Sequence, residues 1–213
     1  MKTNTLTRTG GAAATLALLM GLGLSACGSE DTESTDNGGS KTSETTEAAP
    51  EETEEAGAQT FGEGCKLIPA DGAGSFNGMS TAPVASAASA NPLLKTLVSA
   101  VGQAELVDTL NSADALTVFA PTDDAFKKIP KADLDAVLAD KAMLTKVLTH
   151  HVVAGQLGPD EVAGEHETLA GDMITVEGSD EEFTVGKENA KVLCGNIPTA
   201  NATVYVVDTV LMP

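Results

Sequence analysis

Residues 61–213 predict a single α+β domain, on three observations. Apolar residues recur at three- and four-residue spacing between 91 and 148. From 152 onward, β-branched runs separated by Gly, Asn, Asp and Pro turns take over. The helical half precedes the strand half, an order that fits α+β better than the alternation of a parallel α/β sheet. About 150 residues suffice for one substantial core, and no fixed-period repeat is present.

Two segments of different composition lie ahead of this domain. Lys2 and Arg8 precede an apolar run from Ala12 to Leu24, and Leu24-Ser25-Ala26-Cys27 follows. A basic start, a short apolar stretch and small residues before a cut describe an export signal over 1–26, too short to span a bilayer comfortably. Cys27 after Leu-Ser-Ala also resembles the lipobox of bacterial lipoproteins. In those proteins the matching cysteine takes a diacylglyceryl group on sulfur and becomes the mature N-terminus, so the resemblance implies lipidation of Cys27. An ordinary secretory signal with a coincidental cysteine is the alternative.

Residues 27–60 hold ten carboxylates against Lys41 alone, no aromatic residue and almost nothing to bury. One-signed charge at low hydrophobicity does not offset the entropy of ordering a backbone, so the segment is expected to be a disordered tether. As a flexible coil it would average roughly 30–35 Å end to end. Its Ser and Thr content is compatible with O-glycosylation.

The folded part carries 21 acidic and nine basic side chains, a net of −12. Nucleic acid and anionic lipid are both recognised through cations, so this balance excludes them and leaves the acyl group as the membrane attachment. Cys65 and Cys194 are the two cysteines of the domain. In an exported chain an even pair reads as a disulfide, and closing so long a loop contributes about 4–5 kcal/mol in the chain-entropy model. Two buried free thiols are the alternative. A metal site fits less well, because no CxxC or nearby histidine pair completes four ligands.

Taken in order, Asn91-Pro92 predicts a helix start, with Pro92 where its missing N–H does no harm. Leu93, Leu94, Leu97, Val98 and Val101 form its apolar face, and Leu106, Val107 and Leu110 continue the theme. Leu116 to Ala120 reads as a short buried strand ended by Pro121. Thr122 is placed to cap the next turn, with Asp123 and Asp124 suited to a helix N-terminus. Leu134, Val137 and Leu138 mark another helical face, and Met143, Leu144, Val147 and Leu148 a third. His151 to Val153, Met173 to Val176, Phe183 to Val185, Lys191 to Leu193 and Thr203 to Leu211 read as strands. Met79 to Ala90 is apolar and small-residue-rich, a segment that packs rather than binds.

Three blocks now carry a resemblance. Leu116-Thr-Val-Phe-Ala-Pro-Thr-Asp-Asp-Ala-Phe126 resembles the first signature block of fasciclin domains. Leu148-Thr-His-His-Val-Val-Ala-Gly155 resembles their central Tyr-His block, and Ala202-Thr-Val-Tyr-Val-Val-Asp-Thr-Val-Leu211 their second signature block. The resemblance covers about residues 62–213. Gly64-Cys65, Gly78-Met79-Ser80 and Cys194-Gly195 extend it to the secreted and lipid-anchored fasciclin-type antigens of mycobacteria. It implies a seven-stranded β-wedge with packed helices, a Cys65–Cys194 bridge, and family-motif candidates His150, His151, Asn196, Ile197 and Asp208. Two departures stand out. His150 replaces the usual tyrosine, and Asn196-Ile197 stands where animal adhesion members carry an Asp-Ile pair for receptor contact. The missing carboxylate weakens any transfer of integrin-type adhesion.

No catalytic set emerges. A nucleophile, base and orienting acid require a Ser or Cys beside a His, and no GxSxG elbow exists. His150 and His151 lie where a helix gives way to a strand, so their side chains should diverge; the resemblance implies that His151 is a hydrogen-bonded core residue, with His150 partly exposed. Asp133, Asp135 and Asp140 lack the glycine and terminal Glu of a calcium loop and fit a solvated helix face. Gly72-Ala-Gly74 is not preceded by the strand a phosphate loop needs. No cofactor or metal is expected. Two functions remain: a membrane-anchored, non-enzymatic module on the extracytoplasmic face that contacts a protein or envelope partner, or a carrier of a small apolar ligand. An extracytoplasmic hydrolase ranks below both.

Overall fold

The structure is a computed structural model that describes residues 56–213. The export signal, Cys27 and the linker as far as residue 55 lie outside the described residues. Residues 56–60, grouped above with the linker, form a turn held by Ala56 N–H on Asn77 Oδ1 at 3.0 Å and Thr60 N–H on Gly57 O at 3.1 Å.

Seven α-helices are described, after a short 3-10 helix at Glu63–Leu67: α1 Phe76–Ser80, α2 Val84–Ala90, α3 Lys95–Gln103, α4 Val107–Ser112, α5 Asp123–Lys127, α6 Lys131–Ala139 and α7 Lys141–His150. The strands are β1 Leu116–Pro121, β2 Val152–Ala154, β3 Gly164–Glu167, β4 Met173–Ser179, β5 Glu182–Val185, β6 Ala190–Pro198 and β7 Ala202–Val207. They form one seven-stranded sheet in the order β2-β1-β7-β6-β5-β4-β3. Only β1 and β7 pair in parallel, Leu116 opposite Ala202 through Pro121 opposite Val207. The two ends of the sheet meet where Val153 bridges Thr168 and Leu169 N–H donates to Val152 O at 2.8 Å. The sheet thus closes on itself as a wedge.

β1 and β7 are buried along their whole length because they face two cores. Val118, Ala120, Val204 and Val206 point to the helices, against Leu97, Val101, Leu144 and Leu148. Phe119, Tyr205 and Val207 point into the wedge, against Ile174, Phe183 and Val185. A strand buried on both faces reads as a continuous apolar run, which is how β1 shows in the sequence. Each fully buried side chain of this size contributes about 1.5–3 kcal/mol.

Several elements depart from the sequence reading. α3 begins at Lys95 rather than at Pro92. Asn91 Oδ1 accepts from Leu93 N–H at 3.0 Å and spends those residues in a turn. The N–H of Thr96 is instead capped from afar by Asp123 Oδ1 at 2.7 Å. Thr122, by contrast, caps α5 through Ala125 N–H at 3.2 Å as the sequence reading expected. Met143 is 49% exposed and does not belong to the buried face of α7. α1, α2 and β3 had no clear periodic signal; β3 reads Gly-Glu-His-Glu and is largely solvent-facing.

The N-terminal segment is fastened to β6. Cys65 and Cys194 form a disulfide with Cα atoms 4.9 Å apart, and Phe61 and Gly195 exchange both backbone hydrogen bonds beside it. The end of the Phe61 ring packs on Gly195, where a Cβ would meet its Cζ at 2.3 Å. That contact explains the glycine directly after Cys194.

Candidate functional site

The central histidines stand where α7 ends and the sheet closes. Asp140 caps α7 by accepting from Ala142 N–H at 2.9 Å and Met143 N–H at 3.1 Å. Leu144, Val147 and Leu148 then anchor the helix to the core. His150 is its last residue; His151 is its cap, still in right-handed helical conformation, and the strand starts only at Val152. Their rings stand edge to face, 87° apart.

His151 is buried and fully bonded. Its Nδ1 lies 2.8 Å from Val147 O, and Nε2 accepts from Leu211 N–H at 3.0 Å. A carbonyl on one side and an N–H on the other assign the proton to Nδ1 and keep the ring neutral. Burial pulls its pKa down to about 4, with the His150 charge adding to the fall and the Val147 carbonyl opposing it.

His150 corrects the sequence reading: it is buried, only 6% exposed. The β3–β4 turn folds over it, and its Nδ1 lies 2.7 Å from Asp172 Oδ1. Thr168 Oγ1 donates to the same carboxylate oxygen, and Thr168 N–H donates to Asp172 O at 2.8 Å. Burial pushes the Asp172 carboxyl up, but the Thr168 and His150 hydrogen bonds and the His150 charge outweigh it, and its pKa lies below the usual value.

This is not the geometry of an activated nucleophile. In a catalytic triad the hydroxyl faces the imidazole and the acid stands behind it. Here Thr168 and His150 share one acid, so the hydroxyl donates to Asp172 and not to a base. Among the described residues no three His, Cys, Asp or Glu side chains converge on a point where a metal ion would sit.

Beside the histidines an apolar cleft separates α3 and α4 from the α7–β2 junction. Val101, Leu106 and Leu110 line one side, Leu148, His151 and Val152 the other, around a cavity of about 70 Å³. Val107 and Leu169 stand at its mouth, 37% and 46% exposed.

The other candidates lie apart from this cleft. Asn196 sits in the irregular part of β6 with a φ of 57°, a conformation Asn tolerates, and its Nδ2 donates to Gln59 O at 3.1 Å. Ile197 is 1% exposed, so its side chain belongs to the core and is not offered for receptor contact, while Asn196 is half-buried. Asp208 accepts from Lys191 N–H at 2.8 Å and pairs with Lys128 Nζ at 2.9 Å. Its burial is outweighed by these partners and Thr209, which hold its pKa below the usual carboxylate value.

Sequence reasoning missed Thr168, Asp172 and Asn201. Ala170-Gly171-Asp172 signalled a turn but not that the turn would cover a histidine. Asn201 Oδ1 accepts from Val84 N–H at 2.9 Å, while Nδ2 donates to Leu110 O and Ala113 O at 2.8 Å each. One amide thereby joins α2, α4 and the start of β7.

Comparison with known proteins shows the family of this chain. Residues 92–213 match the family model of the fasciclin domain. The chain is 44% identical over 213 residues to the cell surface glycolipoproteins MPB83 of Mycobacterium bovis and MPT83 of Mycobacterium tuberculosis, covering 95% of this chain and 94% of each relative. It is 48% identical over 166 residues to the immunogenic protein MPB70 of Mycobacterium bovis, covering 74% of this chain and 84% of that one. A solved FAS1 domain pair from the insect cell adhesion molecule fasciclin I overlays on 56% of this chain and 45% of that one, with a TM-score of 0.47 and 20% identity. By the family match and by these relatives, the chain belongs to the fasciclin domain family.

Proposed function

We infer that this protein is displayed on the extracytoplasmic face of the cell membrane, held there by lipid on Cys27, and acts by binding a protein or cell-envelope partner rather than by covalent chemistry. The names of its relatives, cell surface glycolipoproteins, support a surface location. The Leu24-Ser25-Ala26-Cys27 sequence supports the anchor, and the acidic segment that follows supplies a tether.

The observation that carries the binding role is the engagement of the histidines. Both nitrogens of His151 are used by the backbone, and Nδ1 of His150 is used by Asp172. A base committed in this way holds a junction in place; it does not activate a hydroxyl or a water. The carrier reading is less well supported: pockets for small ligands span about 300–1,000 Å³, and the apolar cleft holds about 70 Å³. Contact through the surface is therefore the favoured mode.

The test is turnover. Purified mature protein and a His151→Phe variant would be assayed against ester, amide and glycoside substrates. Rates equal to the buffer blank for both are expected. Hydrolysis by the wild type that disappears in a folded His151→Phe variant would overturn the non-enzymatic reading.

A further inference from the structure

We propose that the apolar cleft between α3–α4 and the α7–β2 junction receives one aliphatic side chain of a lysine- or arginine-rich polypeptide, an assignment that rests on the binding role inferred above and names its partner class. Val107 and Leu169 are large apolar residues, both exposed, that line a cleft whose other lining residues are apolar except for Thr109, Thr149 and His151. Exposed apolar surface gathered around a concavity marks an interaction site more often than scattered surface residues do.

Size selects the occupant. A void needs about 10–15 Å³ for each water-sized atom it admits, so the cavity of about 70 Å³ takes the branched end of a single side chain. An acyl chain or a drug-sized ligand does not fit. The mouth is already formed: Leu169 is held by its N–H on Val152 O at 2.8 Å, and the turn behind it by His150, Thr168 and Asp172. A preformed mouth lowers the entropy cost of binding.

Charge selects the flanks of that side chain. Asp108 stands on α4 between the cleft residues Val107 and Thr109, and Glu167 precedes Leu169 by two positions; both are exposed. Lys141, on α7, is paired with Glu105 at 2.6 Å and so is partly neutralised. With 21 acidic against nine basic side chains in residues 61–213, a second copy of this chain is repelled and a cationic segment attracted.

The experiment uses the full mature protein with ¹³C-labelled leucine and valine methyls, titrated with a heptapeptide of lysines around one central leucine. Saturable shifts at Val107, Leu110 and Leu169 are expected. Replacing the peptide's leucine by alanine, or introducing Val107→Lys or Leu169→Lys, should weaken binding about tenfold, the scale of one lost aliphatic contact. Replacing the peptide's lysines by glutamates should abolish it. Shifts confined to other methyls, wild-type affinity in both lysine variants, equal binding of the glutamate peptide, or tighter binding of palmitate than of the peptide would each overturn the proposal. None of these results would reveal turnover, so the cleft can fail while the non-enzymatic reading stands.

Discussion

Replacing His151 by phenylalanine keeps most of the ring volume and removes both hydrogen bonds, isolating what the imidazole contributes. The substitution leaves Val147 O and Leu211 N–H without partners in a site where His151 is 2% exposed. An orphaned buried polar group costs about 1–3 kcal/mol, so the pair costs about 2–6 kcal/mol. A second signature lies in pH. The folded-state pKa is about 4, below the ordinary value of 6.5, so between these values the unfolded chain takes up a proton that the folded one refuses. Stability from this group is therefore complete above pH 6.5 and lost as pH falls toward 4. The loss amounts to about 3 kcal/mol at the acid end. Urea unfolding followed by far-UV circular dichroism suits a chain with no tryptophan and one tyrosine. Asp172 and Asp208 also titrate on the acid side, but they do so in both proteins, so the difference between the two stability curves isolates His151. The expected difference is largest at neutral pH and shrinks toward pH 4. An unchanged urea midpoint, or two curves running parallel through this range, would refute the reasoning.

Other substitutions test the remaining links. Removing the Cys65–Cys194 bond, which closes a separation of 129 residues, should cost about 4–5 kcal/mol and leave a folded protein; calorimetry of the double serine variant would show an unchanged Tm if the bond contributes nothing. His150→Ala should cost about 1–3 kcal/mol and raise the Asp172 pKa, read by carboxyl chemical shifts, because the imidazole on that carboxylate is lost. A neutral effect would return His150 to the surface. Asn201→Ala breaks three hydrogen bonds and should cost about 2–4 kcal/mol in urea unfolding, more than a surface asparagine would.

The parts of this fold that were legible in the sequence are those whose periodicity reports burial. β1 and β7 are apolar on both faces, and α7 shows its buried side in Leu144, Val147 and Leu148. What escaped depends on contacts between segments remote in sequence. The start of α3 is set by Asp123, 27 positions beyond Thr96, and no local signal at Pro92 reports that. His150 was expected to be partly exposed; the covering turn reaches it from Asp172, 22 residues on. The apolar cleft is legible only after folding, since Val107 and Leu169 look like ordinary members of their segments until the fold brings them to one cleft.

The account's central claim, a binding module held at the cell surface by its own N-terminal lipid, is tested most directly by the mass and partitioning of the mature protein. Wild-type protein from its own membranes should enter the detergent phase, and its N-terminal peptide should begin at Cys27 with a diacylglyceryl mass on sulfur. Acyl chains contribute about 0.8 kcal/mol per buried methylene, so Cys27→Ala should move the folded protein wholly to the aqueous phase or leave its signal uncleaved. A mature chain that begins elsewhere without lipid, or a Cys27→Ala protein that has lost its signal and still partitions into detergent, would contradict the claim.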